Sequence, residues 1–230
     1  MRRRQFTAGV FTPAAAGAAA ALATAWSTPA RALTQAEAAA GVKSALERGA
    51  NAAVDLLGRP DGFLGNPQLR IPLPGYLEDA AKLLRATGQG AKVDELVTAM
   101  NRAAEAAVPQ ARALLVQTVK GLTVQDALAL VRGGETAVTD WFAQRTREPL
   151  ARTFLPIVQR ATAKVSLAER YNAVAGRLKG LVKGDAATIE QHVTARALDA
   201  LYRVIGQEEK KLRADPLGAG SDLLRRVFGR

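Results

Sequence analysis

The chain has 230 residues, with 32 Lys+Arg against 21 Asp+Glu, one histidine and no cysteine. The lack of cysteine excludes disulfides, thiolate metal sites, cysteine nucleophiles and lipoprotein anchoring. There is no Walker loop, no G-x-G-x-x-G and no H-E-x-x-H, so nucleotide-dependent and metalloprotease chemistry have no motif to rest on.

Residues 1–32 read as an export signal rather than as part of the fold. Met1-Arg-Arg-Arg-Gln-Phe-Thr7 is a basic start that resembles the twin-arginine signal in its Arg3-Arg4-x-Phe6 core. An Ala-rich, mildly apolar stretch runs from Ala8 to Trp26, and Ala30-Arg31-Ala32 has the small-x-small form of a signal-peptidase site, so cleavage is expected after Ala32. Arg2 stands where the twin-arginine signal usually has Ser or Thr, and Thr7-Ala8 replaces its apolar-basic pair. The general secretory route is therefore the alternative. Pro13, Gly17 and several Thr residues dilute the apolar stretch, which argues against a retained membrane anchor. The expected product is soluble and periplasmic.

Residues 1–32 hold four Lys+Arg and no Asp or Glu, which leaves 32 − 4 = 28 against 21, or +7, on Leu33–Arg230. That length suits one domain with its own core. The charge favours an anionic membrane surface, envelope polyanions or acidic proteins, although much of it alternates with Glu and Asp along helices. Outside the cytoplasm, nucleic acid is not an expected partner.

Helix one is expected to begin at Thr34, with Glu37 completing a capping box. Val42, Leu46, Ala50, Ala53, Val54 and Leu57 follow at three- and four-residue spacing, and Gly58 should cap the end. Gly58 to Gly75 is then a long non-helical segment. Pro60-Asp61-Gly62 and Asn66-Pro67 are turn chemistry. Phe63, Leu64, Leu69, Ile71 and Leu73 make it too apolar for a mobile linker. It reads as an ordered loop lying on, or plugged into, a helical core.

A short helix is expected from about Tyr76 to Ala86, with Leu77, Ala81 and Leu84 inward and Gly88 stopping it. The most regular segment runs from about Ala91 to Lys120, with a kink or break at Pro109. Gly121 ends it, and Thr123-Val-Gln-Asp126 opens a short helix that stops at Gly133-Gly134. A longer run begins near Thr136; Pro149 marks a fresh helical start, and Pro156 should bend the helix. Ser166-Leu-Ala-Glu169 opens a further helix that ends at Gly180. The last long helix runs from near Asp185 to about Ala214, its charged end Glu208–Arg213 projecting into solvent. Ser221 caps a final turn through Phe228. With no long run of period two, the chain reads as all-α, an irregular bundle of about seven to nine helices around one core.

These stretches resemble a bacterial family catalogued as a domain of unknown function, number 4197. The resemblance is carried by Leu57-Gly-x-Pro-Asp-Gly-Phe-Leu-Gly-Asn-Pro67, Ile71-Pro-Leu-Pro74 and Met100-Asn-Arg-Ala-Ala-Glu-Ala-Ala-Val-Pro109. Gly133-Gly134, Ala197-Leu-Asp-Ala-Leu201, Glu208-Glu-Lys-Lys-x-Arg213 and Asp222-Leu-Leu-x-x-Val-Phe-Gly229 extend it over nearly the whole of Leu33–Arg230. It implies an exported helical domain and carries no assigned chemistry.

The candidate site pairs Asp61, Phe63, Leu64 and Asn66 of the loop with Asn101, Arg102 and Glu105 of the most regular helix. The last three are expected off its apolar stripe, where Arg102 can pair with Glu105 one turn on. They could line a polar pocket with Asp61 or Asn66. Alternatively they satisfy loop backbone groups that would otherwise be buried and unpaired, the preferred reading because a Pro- and Gly-rich loop needs such partners. Phe63 and Leu64 could meet a membrane or an apolar ligand, but a hydrophobic plug accounts for them more simply. His192 has neither a ligand set nor a nucleophile-elbow serine and reads as a surface residue in a charged ladder with Arg196 and Asp199. No metal, cofactor or catalytic residue is assigned. The expected function is a non-enzymatic module that binds an apolar or amphipathic small molecule or an envelope protein. The alternatives are a cofactor-free hydrolase or isomerase built on Asp61, Asn101, Arg102 and Glu105, and a basic envelope-associated structural protein.

Overall fold

A computed structural model describes residues 34–163, 168, 169, 171 and 187–214. The regular elements among them are helical, with no strand. The first helix, α1, spans Gln35–Gly58. It opens on the expected reciprocal cap: Thr34 Oγ1 accepts from the Glu37 amide at 3.2 Å, and Glu37 Oε2 accepts from the Thr34 amide at 2.9 Å. Val42, Leu46, Ala50, Ala53, Val54 and Leu57 form its buried face. Gly58 does not end the helix as a left-handed cap; Arg59 follows in extended geometry at φ −81° and ψ 159°. Glycine is needed there for space, because a Cβ would lie 2.8 Å from Cγ of Pro109.

After the loop, a 3-10 turn at Gly75–Leu77 leads into α2, Glu78–Ala86, and Gly88 turns the chain at φ +78°. The regular segment after it is interrupted where Pro109 requires it. The helix α3 spans Gly90–Ala107, Val108–Gln110 tighten into a 3-10 turn, and α4 resumes over Ala111–Lys120. Thr123 and Asp126 cap α5, Val124–Arg132, in a second reciprocal box.

The helix α6, Ala137–Thr162, corrects one expectation: it is continuous through Pro149 and Pro156, and Pro149 opens no new helix. Each proline removes one amide donor and crowds the carbonyl four residues back. Burial of Phe142, Leu150, Phe154 and Val158 along one face holds the helix against that cost. The final described helix, α7, is Ile189–Ala214 and begins later than Asp185. Thr188 Oγ1 accepts from the Gln191 amide, and the Thr188 amide donates to Gln191 Oε1, which sets the start. The expected helix from Ser166 to Gly180 lies outside the described residues apart from Ala168, Glu169 and Tyr171, and the turn from Ser221 to Phe228 lies wholly outside them.

The helices α6 and α7 pack along each other most extensively; α3 lies against α6, and α1 against α4, α5 and α7. At Gly206 a Cβ would sit 3.1 Å from Thr139 Oγ1, so the missing side chain lets α7 approach α6 closely. Thr146 Oγ1 and the Tyr202 hydroxyl meet at 2.9 Å across the same contact. Among the described residues no single helix is long and apolar enough to cross a membrane.

The charged end of α7 projects into solvent only in part: Lys210 and Lys211 are exposed, whereas Glu209 and Arg213 turn inward. Glu209 is buried, with a side-chain exposure of 4%. Its carboxylate accepts from the amides of Val138 and Thr139, at 3.2 and 3.1 Å, and from Thr139 Oγ1 at 3.0 Å. These amides belong to the first turn of α6, whose own Thr136 makes no side-chain cap. Arg213 binds Glu209 Oε1 at 2.9 Å and donates to the carbonyls of Leu130 and Val131 at the end of α5. One ion pair thus serves two helix termini, anion at the positive end and cation at the negative end. Glu209→Ala is expected to lower unfolding free energy by about 2–4 kcal/mol, since it leaves amides and a guanidinium without their acceptor. Urea denaturation would show this as a lower midpoint with an unchanged slope.

Candidate functional site

The segment 59–74 makes turns and bends between α1 and the 3-10 turn. Its first turn folds back onto the end of α1. The Gly62 amide donates to the Arg59 carbonyl at 3.0 Å, and the Gly65 amide to that of Asp61 at 3.2 Å. Asp61 adopts φ 63°, a left-handed conformation that Asp tolerates better than most residues. At Gly62 a Cβ would come within 2.5 Å of the Leu57 carbonyl oxygen, so only glycine lets the chain pass there.

From α3, Glu105 reaches under this turn. Its Oε1 accepts from the amides of Phe63 and Leu64, both at 3.1 Å. Its Oε2 accepts from Arg102 at 2.6 Å, and the other terminal nitrogen of Arg102 donates to Asp61 Oδ1 at 2.8 Å. Asp61, Arg102 and Glu105 therefore form one chain of charges, buried at the Glu105 end and open to solvent at the Asp61 end. One turn before Glu105, Asn101 is fully buried and pairs with both backbone groups of Ile71. Its Oδ1 accepts from the Ile71 amide at 2.8 Å, and its Nδ2 donates to the carbonyls of Ile71, at 3.0 Å, and Val97, at 2.8 Å. The amide side chain thus replaces a strand neighbour for a segment that has none.

Asn101 and Glu105 do not lie off the buried stripe, as their polarity suggested; both are buried because the loop covers that side of α3. Phe63 is fully buried in the core and Leu64 half-buried. The side chain of Asn66 does not join this network, its Oδ1 accepting from the Gln68 amide at 3.0 Å in a local turn, while its amide donates to the Phe63 carbonyl at 3.2 Å. Since the polar atoms of Asn101 and Glu105 are bound to loop backbone and to Arg102, what these residues do chemically is anchor the loop. Among the described residues no group of three or more His, Cys, Asp or Glu is placed to hold a metal ion.

Two anchors on α7 were not apparent from the sequence pattern. His192 is half-buried beside Arg196, and its Nε2 meets the Pro72 carbonyl at 3.0 Å, a partner on the loop that the expected ladder did not include. Arg203 donates to the Gln68 carbonyl at 3.1 Å. Their separation of eleven residues, about three helical turns, puts both on one face of α7 and was the available signal. Burial holds the His192 imidazole below its ordinary value of 6.5; the Pro72 carbonyl acts in the opposite sense, and nearby Arg196 reinforces the lowering.

Glu105→Ala and Asn101→Ala are each expected to cost about 2–4 kcal/mol, because buried amides lose their acceptor. Limited proteolysis should cut within 59–74 before the helices are attacked. A His192 held below 6.5 binds fewer protons folded than unfolded, so its contribution is complete above 6.5 and lost as pH falls toward the lowered folded value. Urea midpoints measured between about pH 5 and 8 should fall on the acid side, and His192→Gln should flatten that part of the profile.

The family model described as "Protein of unknown function (DUF4197)" matches residues 32–229. No curated protein and no solved structure matches the chain. The match takes in the loop, both anchoring helices and the Glu209–Arg213 pair, and the chain belongs to the DUF4197 family.

Proposed function

We propose that residues 33–230 form an exported, non-enzymatic binding module, one domain of about seven to nine helices whose Gly58–Gly75 loop is its recognition surface. The observation that carries this reading is the anchoring of the loop. A connection between two helices needs only a few residues, and a longer one in a compact domain usually has work of its own. This one is held from α3 by Asn101, Arg102 and Glu105 and from α7 by His192 and Arg203. Such anchoring presents the exposed edge of the loop in one conformation, which lowers the ordering cost of binding.

The hydrolase or isomerase reading loses its main support, because the oxygens of Glu105 and the amide of Asn101 are already engaged by the loop and Arg102. Export is supported by the basic start, the Ala-rich stretch and the Ala30-Arg31-Ala32 site.

Native mass spectrometry of the protein recovered from a bacterial periplasmic fraction tests both parts. The expected species begins at Leu33 and carries a discrete added mass removed by mild denaturation. A chain that keeps Met1 and stays in the cytoplasm would overturn export. A processed chain that never carries added mass, and captures no partner when crosslinked through the loop, would overturn the binding role.

A further inference from the structure

A cleft of about 150 Å³ separates the second half of the loop, Gln68 to Pro72, from α7. Its charged lining is three arginines and one carboxylate: Arg70 on the loop wall, and Arg196, Asp199 and Arg203 on the helix wall. Positions 196, 199 and 203 recur at helical spacing, so one face of α7 is turned to the loop. The carboxylate offsets at most one of the three positive charges, and none of the three is its ion-pair partner. Asp199 is bound to Arg147 at 2.9 Å, and that guanidinium also stacks on Tyr202, 4.9 Å from the ring centre. Arg203 uses one N–H on the Gln68 carbonyl, which fixes its direction and leaves further donors free. Among the described residues no carboxylate pairs with Arg70 or Arg196.

The cleft therefore concentrates positive charge at the place where the loop is pinned to α7. Like charges brought together without a counterion disfavour one another, and an anion placed among them relieves that repulsion. The lining arginines come from two elements, Arg70 from the loop and Arg196 and Arg203 from α7. A carboxylate is planar and satisfies a single guanidinium fork, whereas a tetrahedral oxyanion offers oxygens in several directions. We propose that this cleft binds a phosphate-type oxyanion, held by Arg70 from the loop and by Arg196 and Arg203 from α7. The group can arrive as a soluble phosphomonoester or as the headgroup of an acidic phospholipid, and the cleft chemistry is the same for both.

The inference rests on the loop being a recognition surface. The test is titration of the purified protein with inorganic phosphate, followed by NMR of the arginine side chains and of the amides of 68–72. Expected is a saturable shift confined to the cleft, weakened by roughly 10- to 100-fold in Arg70→Gln and in Arg196→Gln, each of which loses a charge-assisted bond. Neither side chain has an ion-pair partner among the described residues, so both variants keep the wild-type melting temperature. Arg152→Gln, which removes a surface pair with Glu148, leaves binding unchanged. Vesicles of phosphatidylcholine with and without phosphatidate distinguish the source. Tighter binding to the phosphatidate vesicles than to inorganic phosphate assigns a lipid headgroup, and equal or weaker binding assigns a soluble phosphoester.

Absence of saturable binding to either probe would overturn the proposal, as would binding that ignores Arg70 and Arg196 or that prefers a dicarboxylate to phosphate. A bare periplasmic chain that still binds phosphate keeps the cleft and removes only the retained-ligand reading. A retained mass that persists when Arg70 and Arg196 are both replaced keeps that reading and removes the cleft.

Discussion

A buried carboxylate that accepts two loop amides, and a buried carboxamide that pairs with one loop residue, hold the non-helical part of this protein in place. The segment 59–74 has no helix to satisfy its amides and no strand beside it, and yet it carries Phe63 and Ile71 into the core. Burying those side chains brings their backbone with them, and an unpaired buried amide would cancel much of the gain. Glu105 and Asn101, one turn apart on α3, remove that cost at Phe63, Leu64 and Ile71. The desolvation of Glu105 is in turn offset by Arg102, which reaches out to Asp61 at the surface.

The same solution recurs among α5, α6 and α7. Glu209 supplies the acceptor that the first turn of α6 lacks, and Arg213 supplies donors to the last carbonyls of α5. In both places a helix provides a buried acid with an arginine three or four residues further along or back, and the acid caps backbone belonging to another element. Gly positions let elements come close, at Gly206 against Thr139 and at Gly58 against Pro109. Close approach leaves little room for water at the buried ends, so protein groups must satisfy them.

This arrangement divides the polar residues into two populations. Asn101, Glu105 and Glu209 face inward and are committed to backbone. Arg70, Arg196 and Arg203 line a cleft whose one carboxylate, Asp199, is paired with Arg147. The first group fixes the shape of the loop, and the second sets basic side chains along its edge. A net excess of basic residues spread along helices would say little, whereas guanidinium groups from two elements gathered in one cleft define a direction and a charge for whatever enters.

Local features were legible from the chain alone because their causes are local. Thr34 with Glu37 and Thr123 with Asp126 start helices through bonds that reach three residues, and Pro109 interrupts one through its own ring and missing donor. The all-helical class followed from apolar spacing, and contact between the loop and α3 followed from the need of a proline-rich segment for polar partners. Other features depended on which faces meet. Pro149 looked like a boundary and is an interior residue of α6, because packing on one face outweighed its lost donor. Asn101 and Glu105 were expected off the apolar stripe with loop backbone as their partners, but their full burial was not, and His192 and the end of α7 read as solvated charge. Their partners lie far off in the chain, Ile71 thirty positions from Asn101 and Val138 seventy-one from Glu209. Periodicity records where apolar side chains are buried, but a buried polar side chain leaves no periodic trace, and only the tertiary structure brings it to the backbone group it serves.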